Sequence, residues 1–162
     1  MSKITPFLWY DTQAEEAAEL YTSLFPNSKI TSKSYYPPEG AKAAGMPEGT
    51  LMTVSFELDG QKFTAMNAGP VFKFNESISF TVSCSSQEEV DKYWDALTAD
   101  GGQESQCGWL KDKFGLSWQI TPTRLMELMY KGGDVGRRAM QAMLQMKKID
   151  IRKIEEAAEG KE

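Results

Sequence analysis

The chain has 162 residues, 41% hydrophobic and 25% charged, enough for one globular domain or two small, closely packed modules with a real core. Its net charge of −5 gives no basic footprint for nucleic acid. It contains no histidine, which excludes Ser-His-Asp and Cys-His nucleophilic catalysis and any histidine-held zinc or iron site. The two cysteines, Cys84 and Cys107, are too few for a disulfide scaffold and leave room for one bridge at most. The opening MSKITPFLWYD lacks the basic start and long apolar core of a signal peptide, and no apolar run reaches the roughly 18–20 residues of a membrane span. A cytoplasmic protein without membrane or nucleic-acid partners is expected.

Ile4 to Tyr10 is rich in aromatic and branched residues and predicts a strand. Asp11 or Thr12 then caps a helix over roughly Gln13–Phe25, where Ala14, Ala17, Ala18, Tyr21, Leu24 and Phe25 recur at helical spacing. Pro26-Asn27-Ser28 ends it. A second strand near Lys29–Tyr36 is weakly signalled. Residues 35–50 carry three prolines and three glycines and predict a loop. Its start, Tyr35-Tyr36-Pro37-Pro38, reads either as a lid or as a plain connector. Leu51–Leu58 and Phe63–Ala68 follow as a hairpin joined through Asp59-Gly60.

The pattern then restarts. Ser77–Ser83 alternates as a strand, Ser85-Ser86-Gln87-Glu88-Glu89 resembles a capping segment, and Val90, Tyr93, Trp94 and Leu97 form an amphipathic helix closed by Gly101-Gly102. Strands are predicted at Ser105–Leu110 and Leu116–Thr121. The halves repeat: Gln13-Ala14-Glu15-Glu16 matches Gln87-Glu88-Glu89, and Gly60-Gln61-Lys62-Phe63 matches Gly115-Leu116-Ser117-Trp118. The expected architecture is α+β, with two β-α-β-β-β modules, residues 1–70 and 77–122, forming a curved mixed sheet with the helices outside. Residues 123–162 form a helical extension, broken at Gly132-Gly133-Asp134, with a helix over Val135–Lys148 and another over Ile151–Ala158 capped by Asp150. Its five methionines read as core or dimer packing, with a plastic binding surface as the alternative.

Period-2 alternation assigns faces. Ile78, Phe80, Val82 and Cys84, then Leu116, Trp118 and Ile120, then Met52, Val54, Phe56 and Leu58 face the helices. The opposite faces carry Ser77, Ser79, Thr81 and Ser83, then Ser117, Gln119 and Thr121, then Leu51, Thr53, Ser55 and Glu57. Glu57 is the acidic group on that polar face, a general base if desolvated and otherwise an exposed carboxylate. Cys107 reads as a nucleophile or redox thiol, or else as a small buried strand residue; only Lys111, Lys113 or backbone dipoles stand near it in sequence to activate it. Trp9, Phe7 and Trp109 suit a wall against a planar ligand.

The paired modules resemble the vicinal-oxygen-chelate superfamily of glyoxalases, bleomycin-resistance proteins and extradiol dioxygenases. More narrowly, Ile4-Thr5-Pro6-Phe7-Leu8-Trp9, Cys107-Gly108-Trp109-Leu110-Lys111-Asp112, Gly115-Leu116-Ser117-Trp118-Gln119-Ile120-Thr121-Pro122 and the late Lys148-Ile149-Asp150-Ile151 resemble the PhnB-like, 3-demethylubiquinone-9 3-methyltransferase-like group. The resemblance implies a ligand cup lined by the polar faces. It also implies metal-ligand positions that fall on Gln119, Thr64, Ile4 or Pro6, and Ser77 or Ser79. An amide and hydroxyls are poor holders of a divalent ion, so no metal and no cofactor are expected. No glycine-rich strand-to-helix turn suits S-adenosylmethionine, because Gly101-Gly102 and Gly132-Gly133 follow helices. The expectation is a homodimeric, metal-independent binder of a small organic ligand through Gln119, Ser79, Thr81, Ser77, Thr64, Ser55 and Trp9. The alternative is a metal-free enzyme acting on a small carbonyl or aromatic substrate through Glu57 or Cys107.

Overall fold

The computed structural model describes residues 2–161 and divides into two compact units, Met1–Phe74 and Asn75–Glu162. The first contains β1 (Phe7–Tyr10), α1 (Ala14–Leu24), β2 (Lys29–Tyr35), α2 (Pro38–Ala44), β3 (Leu51–Leu58) and β4 (Gln61–Asn67). Its four-stranded sheet runs β1-β4-β3-β2, with β1 parallel to β4 and the other pairs antiparallel. Asp59 and Gly60 both take positive φ, 48° and 81°, as a two-residue hairpin turn requires. Ala14, Ala17, Ala18, Tyr21 and Leu24 of α1 are buried on the sheet face that presents Val54, Phe56, Phe63 and Ala65. The Phe56 and Phe63 rings stack at 5.5 Å.

Two expectations fail here. Neither Asp11 nor Thr12 caps α1. Gln13 precedes the helix without a capping side chain, and Asn67 Oδ1, on β4, accepts the Ala14 N–H at 2.8 Å. The cap comes from 53 residues away, so no local signal announced it. Residues 35–50 are not wholly a loop, because α2 lies within them. Pro38 starts that helix, where its missing N–H costs nothing, the run Ala41-Lys42-Ala43-Ala44 favours helix, and Gly45 ends it at φ 67°. Tyr36 is buried, and its hydroxyl donates to the Asn67 carbonyl at 2.6 Å.

The second unit contains β5 (Ser79–Cys84), α3 (Gln87–Thr98), β6 (Gln103–Glu104), β7 (Trp109–Lys111), β8 (Ser117–Pro122), α4 (Thr123–Tyr130), α5 (Gly133–Met143) and α6 (Ile151–Ala158). Its sheet order, β5-β8-β7-β6, repeats that of the first unit. The mixed sheet read from the sequence is therefore two four-stranded mixed sheets, one in each unit. Ser86 caps α3 by accepting the Glu89 N–H at 3.2 Å, and Ser85 Oγ donates to Glu89 Oε1 at 2.7 Å. Trp118 is buried, as its parity required.

The strand expected at Ser105–Leu110 is interrupted. Cys107 and Gly108 take φ of 61° and 84° in a turn, and only Trp109–Lys111 remain extended. The turn persists because its amides have other partners: Cys107 and Gly108 N–H donate to the Met146 and Lys147 carbonyls, both at 2.8 Å. Beyond it, buried Asp112 organises the β7–β8 connection. Its Oδ1 accepts the Phe114 and Leu116 N–H groups at 2.9 and 3.0 Å, and its Oδ2 accepts Trp118 Nε1–H at 2.9 Å.

The extension forms its own cluster of Leu125, Leu128, Ala139, Ile149, Ile154 and Ala158. Met129, Met143 and Met146 pack against it, while Met140 is exposed. The helix expected to reach Lys148 ends at Met143, since residues 144–150 serve as a strap. The Gln87 side chain grips that strap like a strand neighbour, donating to Ile149 O at 3.0 Å and accepting Ile151 N–H at 2.8 Å. Asp150 caps α6 through the Lys153 N–H at 3.1 Å. Among the described residues, no helix is long and apolar enough to cross a membrane.

Candidate functional site

The strand register gives each sheet a face turned away from its helices. In the first unit, Phe7, Thr64, Ser55 and Ser32 form one cross-strand row, and Trp9, Met66, Thr53 and Ser34 form the next. Ser55 and Thr64 hydroxyls lie 3.4 Å apart, and Ser34 and Thr53 hydroxyls 2.5 Å apart. A cavity of 320 Å³ opens beside the first row, lined by Thr5, Thr31, Ser55, Glu57, Lys62 and Thr64 among others. Glu57 and Lys62 are cross-strand partners there, a favourable opposite-charge pairing.

Ser55 and Glu57, expected from parity, and Thr64, a position the resemblance implied, thus meet in one concavity. Thr5, Lys62 and Thr31 went unrecognised. Thr31 sits in the register shift between Ile30 and Ser32, where a bulge redirects a side chain that strict alternation would misassign. Trp9 shares this face but not the cavity's lining. Its indole N–H donates to Gly69 O at 2.9 Å, and Phe72 packs edge-on at 4.9 Å, so the ring is held in place.

In the second unit, Ser79, Ser117, Lys111 and Gln103 form one row, and Thr81, Gln119 and Trp109 the next. Gln119 Nε2 donates to Ser79 Oγ at 2.9 Å, and Thr81 is exposed beside them. Ser77 lies before β5 and is exposed, with its N–H and hydroxyl both on Asn75 Oδ1 at 2.9 and 2.5 Å. Cys107 is half-buried in its turn and lines none of the described cavities. Burial, and secondarily the charge of Glu89, push the Cys84 thiol up to about 12, so it stays protonated. Both cysteines are free.

A cleft of 520 Å³ lies where α3, α4 and α6 begin. Its two arginines are engaged already, Arg124 with Glu127 and Glu155 at 3.3 and 3.1 Å and Arg152 with Glu156 at 2.9 Å. None of the parity-derived residues lies there.

The polar groups on the open faces are hydroxyls, the Gln103 and Gln119 amides, Lys111, and the Glu57 carboxylate beside Lys62. Among the described residues, no three His, Cys, Asp or Glu side chains gather as a metal site. Neutral oxygen and amide donors of this kind do not hold a divalent ion against water, and the set does not fit one.

Two modules of identical strand order define the vicinal-oxygen-chelate fold, and solved structures agree. A PhnB protein from Bacillus cereus aligns at 36% identity over 75% of this chain and 99% of its own, with a TM-score of 0.66. A Pseudomonas aeruginosa protein aligns at 18% identity over 75% and 98%, TM-score 0.61. The fosfomycin resistance protein FosX from Listeria monocytogenes aligns at 14% identity over 75% and 93%, TM-score 0.50. No curated protein matches the chain. The family model described as 3-demethylubiquinone-9 3-methyltransferase matches residues 2–121, and the chain belongs to this PhnB-like family of the superfamily. The match stops before the helical extension, so the likeness read in Lys148–Ile151 lies outside it.

Proposed function

We propose that this chain binds a small, polar organic ligand without a metal ion, in the 320 Å³ cavity on the open face of the first unit. One observation carries the reading: Ser55, Thr64, Glu57 and Lys62 converge on a single concavity. Its volume falls at the small end of ordinary ligand sites, about 300–1,000 Å³. Hydroxyls that both donate and accept suit a ligand with mixed polarity, and adjacent opposite charges favour one without large net charge. Trp9 adds an aromatic surface on the same sheet face, beside the cavity, and Gln119, Ser79 and Thr81, with Ser77 just before β5, are polar ligand contacts on the second unit's own sheet face. The protein acts in the cytoplasm as a homodimer. Methyl transfer is no part of the proposal, because the chain has no glycine-rich strand-to-helix turn for S-adenosylmethionine.

The test combines native mass spectrometry of freshly purified protein with a thermal-shift screen of small polar metabolites. A co-purifying or stabilising compound that Ser55→Ala/Thr64→Val no longer retains is the expected outcome. Stoichiometric metal required for that binding would overturn the reading. A second reading, catalysis with Glu57 as general base, is favoured by the carboxylate's place in the same cavity. Turnover of a bound compound lost in Glu57→Gln, with binding kept, would establish it. The reading of Cys107 as a nucleophile has no such support, since Cys107 lines none of the described cavities.

A further inference from the structure

Ser117 lies on β8 with only 1% of its surface exposed. Its hydroxyl is the one buried side-chain oxygen or nitrogen without a hydrogen-bond partner among the described residues. Folded proteins rarely leave such a group unanswered. The residue projects from the same sheet face as Lys111 and Gln103, its row neighbours, and all three line a cavity of 170 Å³ with Glu76, Trp109 and Ser105. We infer that this cavity is a binding subsite for a neutral, single-ring compound carrying a hydroxyl, with Ser117 Oγ as the polar anchor.

Three features set the ligand class. The volume is close to that of an engineered apolar cavity, about 150 Å³, that binds benzene, so one six-membered ring fits and two do not. Trp109 supplies an aromatic surface in the lining. The charges argue against an anion. Lys111 is ion-paired with Glu76, whose carboxyl it holds below the usual range chiefly through their hydrogen bond. Glu104, a second carboxylate in the lining, accepts Trp94 Nε1–H at 2.7 Å. The ionised lining groups therefore lean negative, one cation against two carboxylates. A hydroxyl on the ring can donate to or accept from Ser117, and both orientations satisfy the orphaned group.

The site lies within the second unit and does not depend on the first unit's cavity. The test is a titration of the full ¹⁵N-labelled chain with phenol, benzene and benzoate, followed by amide shifts. Phenol is expected to give saturable shifts at residues 103–105, 109–111 and 117, to bind about five-fold tighter than benzene, as one neutral hydrogen bond predicts, and to outbind benzoate. Ser117→Ala should erase the preference over benzene while keeping benzene binding, which also reports that the cavity has survived. Absence of saturable shifts, equal affinities in the unaltered protein, a preference for benzoate, or a preference unchanged in Ser117→Ala would each overturn the inference. So would a crystal soaked in phenol that shows only an ordered water on Ser117. Shifts confined to residues 53–57 and 62–64 would overturn it too while leaving the first unit's site standing.

Discussion

Strands β2, β3 and β4 of the first unit run seven, eight and seven residues, whereas their counterparts β6, β7 and β8 run two, three and six. The strand order is the same, but the side chains at matching places have changed character. Lys62 corresponds to Ser117, Thr64 to Gln119, Glu57 to Lys111 and Ser55 to Trp109, as the two registers show. Each unit has a cavity at this place. In the first it is broad and lined by hydroxyls beside a Glu57–Lys62 couple. In the second it is smaller, with an indole and an ion pair. The repeat preserves backbone pairing, which depends on alternation and turn chemistry. Ligand chemistry depends on single side chains and drifts freely on the same frame.

If the units hold separate cores, cutting into one should spare the other. Ile154→Ala empties part of the extension's cluster and should cost about 2–5 kcal/mol in chemical denaturation, while hydrogen exchange in β3 and β4 stays protected. Equal loss of protection in both units would break the comparison.

Two glycines with nearly the same φ sharpen it further. Gly60, at φ 81°, has only Asn27 Nδ2 near an added Cβ, at 3.7 Å. Gly108, at φ 84°, would place that carbon 3.0 Å from Ile120 O and 3.2 Å from Ile149 Cγ1. Gly60→Ala should cost about 1–2 kcal/mol from left-handed strain alone. Gly108→Ala should cost about 2–5 kcal/mol, strain plus overpacking, because backbone cannot move aside. Thermal melts of both variants give the contrast, and equal shifts would remove it.

Asp112 has no counterpart at the tight turn of the first unit, where Asp59-Gly60 needs no side-chain scaffold. Asp112→Ala leaves the Phe114 and Leu116 amides and the Trp118 indole N–H without their acceptor. It should cost about 2–4 kcal/mol, read together with a change in tryptophan near-UV dichroism. The smallest effect concerns Cys84. Its thiol ionises near 9.0 when unfolded and near 12 when folded. Below pH 9 both states hold the proton and Cys84 contributes nothing to pH dependence. From pH 9 to 12 only the unfolded state loses it, so stability falls as pH rises. Cys84→Ala should flatten that slope, and the native thiol should stay silent to a disulfide reagent at pH 8.

Much of this frame was legible beforehand. Asp59-Gly60 announced the hairpin, Ser86 and Glu89 the start of α3, and Asp150 that of α6, because each signal acts within four residues. Alternation in Leu51–Leu58 placed Ser55 and Glu57 on the open face. It missed Thr31, because a bulge breaks the period it relies on. It also read residues 105–108 as strand, because the carbonyls holding that turn come from Met146 and Lys147. Helix α2 was hidden by its own prolines, which here begin a helix rather than prevent one.

Apart from α2, the turn at Cys107-Gly108 and the end of α5, the sequence by itself determined the helices and strands, together with the repeat and the family, since these follow from periodicity, turn chemistry and short motifs. Tertiary structure alone decided which polar groups meet. Asn67 caps α1 across 53 residues, Gln119 reaches Ser79 across 40, and Ser117 lies buried without a partner. Those outcomes depend on strand register and on what packs above each side chain, quantities that no local stretch of chain encodes.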